Sequence, residues 1–163
     1  MSPVRLDQVD WATVSTAIAP PKGRFVAQVA DTIRWTRFIR RSGTKVYTLS
    51  VPSEIIETIN GKSSEGRRLS ARIEYPDTEK GRAMGETLIK RVSRALGVDP
   101  SELEPTTVTD DDDAYNGGLV EGMEGKRYQL TISEVDDSYD NAAGEHIDRM
   151  ATRFYFDPIR DEA

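Results

Sequence analysis

The chain has 163 residues, of which 37% are hydrophobic and 31% are charged, with a net charge of −6 and no cysteine. This length and composition predict one globular domain, and they exclude disulfides, thiolate metal sites and a cysteine nucleophile. No apolar run approaches the roughly 18 residues that cross a bilayer, and the first residues lack the apolar centre of a signal peptide, so we expect a cytoplasmic protein without a membrane contact.

Residues 1–19 are predicted to form an N-terminal extension. Their spaced apolar side chains favour a short helix, with Asp10 as a candidate cap. The turn residues Pro20-Pro21-Lys22-Gly23 then lead into a first strand over residues 24–30, whose side chains alternate between two faces. The residues expected on one face of this strand are Phe25, Ala27 and Val29.

Residues 33–45, which we call the basic arm, combine five basic residues and two large aromatics with no acid. Basic side chains neutralise phosphates and aromatic rings stack on unpaired bases, a combination typical of contacts with single-stranded nucleic acid. In an alternative helical turn, Arg34, Arg37 and Arg41 would make a polar face and the aromatics would belong to the core. Ser42-Gly43 favours a hairpin instead, which would leave the aromatics partly exposed. The candidate contact residues in the arm are Arg34, Trp35, Arg37, Phe38, Arg40, Arg41 and Lys45.

Two further strands are predicted after the basic arm. The first covers residues 45–51 and is expected to stop at Pro52. The second covers residues 67–75, where apolar and polar side chains alternate without exception, so that its polar face is basic. Arg68 and Arg72 on that face complete the candidate nucleic-acid-binding set.

A helix is predicted to follow Asp77 or Thr78, either of which can cap its N-terminus, and to stop at Gly97. Its apolar residues recur at helical spacing, so the helix should pack one face on the sheet. This apolar stripe comprises Met84, Leu88, Val92, Ala95 and Leu96.

The last third of the chain is acidic and contains two more predicted strands. Residues 99–125 are expected to be a long, loosely held polar connection that includes the run Asp110-Asp111-Asp112-Asp113. One strand follows Gly125-Lys126 and the other covers residues 150–156. An acidic, turn-forming segment over residues 136–144 separates them.

Five strands with one helix between the third and the fourth, and without βαβ alternation, disfavour a parallel sheet. We predict a mainly β fold, a five-stranded Greek-key barrel of the OB-fold type over residues 20–158, with a short acidic tail at 159–163. OB-folds bind oligonucleotides on strands 2 and 3 and on the loops joining strands 1 to 2 and 4 to 5. Those positions fall on the basic arm, on the Arg68 and Arg72 face, and on residues 136–150.

Charge is divided unevenly along the chain. Residues 22–94 contain 16 Lys and Arg against 8 Asp and Glu, whereas residues 97–163 contain 5 against 18. This asymmetry predicts a basic binding surface beside an acidic region that competes for it or recruits another protein. The alternative is that both sets of charges only solvate their own surfaces.

Turn signals are spread over residues 20–158 in a characteristic order. They are Pro20-Pro21-Lys22-Gly23-Arg24-Phe25, Gly66-Arg67-Arg68, Leu96-Gly97, Gly125-Lys126 and Phe156-Asp157-Pro158. This layout resembles a family of bacteriophage proteins that look like OB-fold single-stranded DNA-binding proteins. The resemblance implies a role in phage DNA replication or recombination, in an infected host cell. Proteins of this sort often end in an acidic tail with a terminal aromatic residue, whereas this chain ends Asp161-Glu162-Ala163.

The sequence contains no supported catalytic or metal-binding motif, and we predict a binding protein without enzymatic activity, cofactor or metal. The single histidine, His146, is expected to be solvated, since a zinc site there would need carboxylates for most of its ligands. The run at residues 110–113 lacks the spaced acids and the glycine of a calcium loop. The sequence contains no phosphate-binding glycine loop, nucleophile elbow or Rossmann fingerprint.

Two functional hypotheses follow. The first is sequence-independent binding of single-stranded DNA, with RNA as an alternative ligand because both offer bases and phosphates. The acidic segments would then recruit replication or recombination proteins, and residues 110–113 would lie across the basic face and weaken DNA binding. The second is a protein-interaction or virion-associated module that uses exposed Trp35 and Phe38 as anchors in a partner's pocket. The sequence leaves the oligomeric state open, a homo-oligomer included.

Overall fold

The structure, a computed structural model, describes residues 20–104 and 118–160. These residues form a mainly β fold with one α-helix, as predicted. The predictions for residues 1–19, 110–113 and 161–163 lie outside the described residues. In chain order the elements are β1 (Gly23–Val29), β2 (Ile33–Ile39), β3 (Lys45–Gly61), β4 (Arg68–Pro76), α1 (Glu79–Leu96), a 3₁₀ helix (Pro100–Leu103), β5 (Leu119–Val120), β6 (Arg127–Asp136), β7 (Tyr139–Asp140), β8 (His146–Ile147) and β9 (Met150–Asp157).

Seven strands form one antiparallel sheet in the order β5-β2-β3-β1-β6-β9, with β4 also paired to β3, and β7 and β8 form a separate hairpin. The described part of the chain therefore contains nine strands where five were predicted. β4 and β9 approach each other, but they do not pair in the described residues, so the main sheet is not closed by hydrogen bonds.

Strand β3 is 17 residues long and organises the sheet. Its first part pairs with β2 and β4, and its second part pairs with β1. The predicted stop at Pro52 is wrong, because this proline lies at the break between β1 and β2. The Pro52 carbonyl accepts a hydrogen bond of 2.8 Å from Ala30 N. In an antiparallel strand the N–H and the carbonyl of one residue point to the same side, so the N–H that proline lacks would point toward the break between β1 and β2. Pairing is already interrupted there, so the proline is tolerated.

Two register shifts lie in the second half of β3. Opposite β1, the pairing skips Ile59 and then Ile56, so two residues of β3 face one residue of β1 at each point. At the far end Gly23 faces Gly61 with φ values of 137° and 111°. A Cβ atom on Gly23 would lie 2.0 Å from the Asn60 carbonyl oxygen, so only glycine allows this approach of the two strands.

Helix α1 has the predicted caps. Thr78 accepts a hydrogen bond of 3.0 Å from Gly81 N, and Gly97 takes the left-handed conformation with φ of 70°. The predicted apolar stripe is buried or half-buried except at Met84, which is 47% exposed, so the prediction for Met84 is wrong. The residue next to Met84, Gly85, lies on the buried face of α1 and contacts the ring of Tyr75.

We expect Gly85→Ala to lower the unfolding free energy by about 1–2 kcal/mol. A Cβ atom at this position would lie 2.6 Å from the Tyr75 ring, and such overpacking costs roughly 1–3 kcal/mol, which exceeds the gain of up to about 1 kcal/mol in helix propensity. Urea denaturation measures the difference, with exposed Thr87→Ala on the same helix as a control that should be neutral or stabilising. An unchanged or raised stability of Gly85→Ala would mean that the Tyr75 ring is not held against α1.

The inner face of the sheet carries the core. The alternation predicted for β1, β4, β6 and β9 is confirmed, because their inward residues are buried. These include Phe25, Ala27, Val29, Ala71, Ile73, Tyr128, Leu130, Ile132, Phe154 and Phe156. Tyr128 stacks on Phe156 at 5.1 Å between ring centroids, and its hydroxyl lies 2.6 Å from Ser53 Oγ. Ser53 donates its own proton to the Val51 carbonyl, and burial raises the pKa of Tyr128 well above its usual value, so the phenol stays protonated and donates to Ser53.

Residues 99–104 and 118–125 are more ordered than the predicted loose polar connection. Asp99 and Glu102 form a capping box around the 3₁₀ helix, and Leu103 is buried in the core. On the other side of residues 105–117, Val120 in β5 pairs with Ile33 in β2. Both pieces therefore pack against the β2–β3 hairpin.

Candidate nucleic-acid interface

The basic arm is a β-hairpin, so the alternative helical turn is wrong. Residues 33–39 form β2, which runs antiparallel to β3 with Arg34 opposite Ser50 and Ile39 opposite Lys45. The turn is closed by a hydrogen bond of 2.9 Å from Arg40 N to the Thr44 carbonyl, and Gly43 takes a φ of 87°. Successive side chains of β2 consequently point to opposite sides of the sheet.

One side of strands β2, β3 and β4, which we call the outer face, lies opposite the side that carries Trp35 and Leu49. Its β2 and β4 residues are largely exposed, whereas Val46 and Thr48 of β3 are buried. The pairings place Arg34, Ser50 and Arg72 in one row across three strands. Because neighbouring strands lie about 4.8 Å apart, the Cα atoms of the two arginines are separated by roughly 10 Å. Both arginines are exposed, and neither forms a salt bridge within residues 20–104 and 118–160. The row therefore presents two positive charges to solvent.

Phe38 lies on the outer face beyond Thr36 and opposite Val46, and 48% of its surface is exposed. Arg68 lies on the same face of β4 and sits 3.6 Å from Glu54, yet its side chain remains 77% exposed. A surface ion pair of this length and exposure contributes little, so Arg68 remains available to an anion. The outer face thus combines three arginines with one exposed aromatic ring, and exposed Glu74 lies in the row between them.

Trp35 points to the opposite side and is buried, with an exposure of 6%. Its indole Nε1 donates a hydrogen bond of 2.8 Å to the Leu103 carbonyl, and its ring meets Tyr75 edge-on at 6.3 Å. The prediction that the arm exposes both aromatics is correct for Phe38 and wrong for Trp35. Trp35 cannot stack on a base in this conformation, nor can it anchor the protein in a partner's pocket.

The other predicted contact residues are divided between the turn and the inner side. Arg40 and Arg41 are exposed at the tip of the hairpin. Arg37 and Lys45 are half-buried on the same side of the hairpin as Trp35. The structure therefore brings together Arg34, Phe38, Arg68 and Arg72, places two arginines beside them at the tip, and separates Arg37 and Lys45 from them.

No protein-family model matches this chain, and a comparison with curated proteins gave no match.

Sequence reasoning missed Arg127 as a further basic residue on this surface. Gln28 in β1 pairs with Arg127 in β6 and with Glu54 in β3, and Glu54 pairs with Arg68, so one row crosses four strands. Arg127 Nε donates a hydrogen bond of 3.0 Å to Gln28 Oε1. The sequence signal that could have identified Arg127 is the period-two pattern of β6. Tyr128 points to the core, so the preceding Arg127 points to the opposite side.

The β7–β8 hairpin lies in the connection between β6 and β9. His146 is exposed, as predicted, with Asp140 Oδ1 3.0 Å from Nδ1 and Asp148 Oδ1 3.0 Å from Nε2. The two carboxylates lie on different ring nitrogens and do not converge on one point. Among the described residues, no three histidine or acidic side chains are grouped as metal ligands.

In the described ranges, none of the helices has the length and the apolar composition needed to cross a bilayer.

Proposed function

We propose that this protein binds single-stranded DNA without sequence preference, through the outer face of strands β2, β3 and β4 and the tip of the β2–β3 hairpin. The observation that carries the proposal is the row of Arg34, Ser50 and Arg72, with exposed Phe38 on the same face. Arginines contact phosphates, and an exposed aromatic ring gives a base a surface on which to stack. Phosphates and stacked bases are common to every sequence, so these contacts fit binding without sequence preference.

The order of strand pairing supports an OB-type architecture for this function. In this comparison β1 and β2 together are taken as one interrupted first strand, followed by β3, β4, β6 and β9 as the second to fifth strands. The first strand then pairs with the second and the fourth, the second pairs with the third, and the fourth pairs with the fifth. Helix α1 then connects the third strand to the fourth. In OB-folds the second and third strands carry the oligonucleotide, and here those strands are β3 and β4. A role in phage replication or recombination, and recruitment of other proteins by the acidic segments, belong to this proposal.

The salt dependence of binding tests the proposal directly. Affinity for a fluorescent oligo(dT) should fall with rising salt concentration, with a slope of about −0.7 in the log-log plot for each phosphate contact. Contacts from Arg34, Arg68, Arg72 and the two arginines of the tip predict a total slope of roughly −2 to −3.5. Fluorescence anisotropy at salt concentrations from about 0.02 to about 0.3 M gives the slope, because electrostatic contacts with phosphates contribute most to binding in this range. A slope near zero, or no binding at the lowest salt, would rule out this function.

A stacking role for Phe38 predicts that Phe38→Ala lowers affinity for oligo(dT) by about 1 kcal/mol. This value is at the lower end of the roughly 1–3 kcal/mol known for base stacking on an aromatic side chain, because Phe38 is only 48% exposed. The melting temperature should change little, since about half of the ring surface is already in water. Exposed Ile59→Ala, at the far end of β3, is the matched control. Equal affinity of Phe38→Ala and the unmodified protein would leave the arginines as the only contacts.

Competition between ligands decides which nucleic acid is preferred. The proposal expects unlabelled oligo(dT) to displace the probe at lower concentration than duplex DNA of the same length, because the bases of a duplex are already stacked on one another. An oligo(U) competitor of equal length measures the preference for DNA over RNA.

A further inference from the structure

A further group of arginines lies on strands β1 and β9, outside the surface that the proposed function uses. Arg24 in β1, Thr131 in β6 and Tyr155 in β9 form one row across three strands. Arg153 lies on the same side of β9 as Tyr155, because side chains alternate along a strand and Phe154 between them is buried. Arg24 and Arg153 are both exposed, and in the part of the chain that the structure describes neither forms a salt bridge.

Arg91 of helix α1 reaches over the edge of β9 and completes this group. Its guanidinium carbon lies over the Tyr155 ring, 5.2 Å from the centroid. Its Nε donates a hydrogen bond of 3.1 Å to the Phe156 carbonyl, and its terminal nitrogen donates to both carboxylate oxygens of Asp157 at 3.1 Å. The side chain of Arg91 is thereby fixed beside the ring, yet it remains 44% exposed. We call this group the second patch, and its members are Arg24, Arg91, Arg153 and Tyr155.

The second patch is positive in balance. Acids also lie on this side of the sheet, where Arg91 holds the carboxylate of Asp157 and exposed Glu57 lies opposite Val26. The three arginines of the patch outnumber these two acids. A positive surface with an aromatic ring attracts phosphates and bases for the same reason as the outer face does.

One row of paired residues links the second patch to the outer face. Arg68, Glu54, Gln28 and Arg127 lie side by side on β4, β3, β1 and β6. Gln28 and Arg24 are four residues apart on β1, which corresponds to about 13 Å along the strand. From Arg68 to Gln28 the row crosses two strand spacings, or about 10 Å. The two surfaces are therefore continuous parts of one side of the sheet.

The β7–β8 hairpin marks the end of this positive surface. Ser133 and Arg153 pair with each other, and beyond them β6 and β9 lead into a connection that carries exposed Asp136, Asp140 and Asp148. Acidic side chains repel phosphates, so a bound nucleic acid should not extend past Arg153.

We propose that the second patch continues the DNA-binding surface, so that a longer single strand runs from the outer face around the sheet, past Arg127, to Arg24 and Arg153. This inference rests on the proposed function. Arg24 and Arg153 would contact phosphates, and a base would stack beside Tyr155 and the Arg91 guanidinium. The path from Arg72 to Arg24 measures roughly 36 Å along the surface, so only an oligonucleotide longer than the outer face reaches the second patch.

Two lengths of fluorescent oligo(dT) test this path, one of about 5 and one of about 16 nucleotides, which are near the limits known for a single OB-fold. The short oligonucleotide should bind the outer face alone. The long one should bind more tightly, with a log-log salt slope steeper by about 1.4 for the two added contacts from Arg24 and Arg153. Equal slopes for the two lengths would overturn the proposal.

The double variant Arg24→Gln and Arg153→Gln locates the added contacts. At about 0.15 M salt it should bind the long oligo(dT) roughly tenfold more weakly than the unmodified protein does, and the short one about equally well. Lys80→Gln and Lys90→Gln, which remove two exposed charges from α1 outside both surfaces, should leave the difference between the two lengths intact. An unchanged affinity of Arg24→Gln and Arg153→Gln for the long oligonucleotide would overturn the proposal, and so would equal losses for both lengths.

Amide resonances of the full-length, ¹⁵N-labelled protein give a readout that does not depend on variants. The long oligo(dT) should shift the resonances of Thr131 and Tyr155, whereas the short one should shift those of Ser50 and Arg72 alone. Long oligo(dT) that binds without shifting Thr131 and Tyr155 would overturn the second patch and leave the proposed function intact. Failure of both lengths to bind would contradict the proposed function itself, and this inference with it.

Discussion

Trp35→Ala should lower the unfolding free energy by about 3–5 kcal/mol, the usual loss when a buried large aromatic is truncated in a core. Trp35 is 6% exposed, packs edge-on against Tyr75, and satisfies the Leu103 carbonyl through its indole N–H. Truncation would remove the ring, leave a void that the surrounding strands cannot close fully, and leave that carbonyl without its partner. Urea denaturation followed by circular dichroism measures the loss.

Trp35→Phe divides this loss into its two parts. The phenyl ring keeps much of the packing but cannot donate to Leu103, so we expect a cost of about 1–2 kcal/mol. With Trp11→Phe as the background, Trp35 should emit like a buried indole, and oligo(dT) should not quench it. A near-native stability of Trp35→Ala together with a loss of oligo(dT) affinity would show that Trp35 lies at the DNA surface and not in the core.

The burial of Trp35 could have been predicted by treating residues 33–39 as a strand. Ile33 and Trp35 then share one face, and Arg34 and Thr36 share the other, which is a half-buried pattern. The pattern ends at Phe38, because Phe38 and Ile39, which point to opposite sides near the hairpin tip, are both about half exposed. The cluster of arginines obscured this short alternation, since their charge suggested exposure for the whole segment.

Regular elements with one buried face were predictable, and irregular ones were not. Strand β4 alternates over its full length because both its neighbour and its register are regular. The second half of β3 contains two bulges, at Ile56 and Ile59, so counting in steps of two assigns residues to the wrong face. Pro52 added a second error, since proline usually marks the end of a strand, and only the position of the break in the neighbouring strands explains why it is tolerated here.

The candidate site depended on register, which the sequence does not show. Arg34 and Arg72 are 38 positions apart in the sequence, and they become neighbours because both pair with Ser50 from opposite sides of β3. A shift of one residue in either pairing would move one arginine to the inner face. A cleft of about 560 Å³ beside Trp35 was equally invisible, because its walls come from three strands, α1 and the 3₁₀ helix.

Removing the arginine row should have the largest effect on DNA binding. In the double variant Arg34→Gln and Arg72→Gln, two phosphate contacts are lost, so the log-log salt slope should become less steep by about 1.4. With this slope, each phosphate contact raises the affinity at about 0.05 M salt roughly eightfold relative to 1 M salt. The affinity of the double variant for oligo(dT) at about 0.05 M salt should therefore be roughly 60-fold lower. Glutamine keeps part of the arginine side chain, and both positions are exposed. The melting temperature of the double variant should therefore lie within a few degrees, roughly, of that of the unmodified protein.

A second double variant shows whether the position of the charge matters or only its sum. Lys80→Gln and Arg94→Gln on α1 remove the same two charges from exposed positions away from the outer face. If the arginine row contacts phosphates, this control should weaken binding only slightly and keep the original slope, because charges beyond a Debye length of about 10 Å at 0.1 M salt are screened. Equal losses in the two double variants would mean that DNA responds to net charge alone, and the outer face would then have no special role. A 60-fold loss confined to Arg34 and Arg72 would locate the phosphate path across β2, β3 and β4.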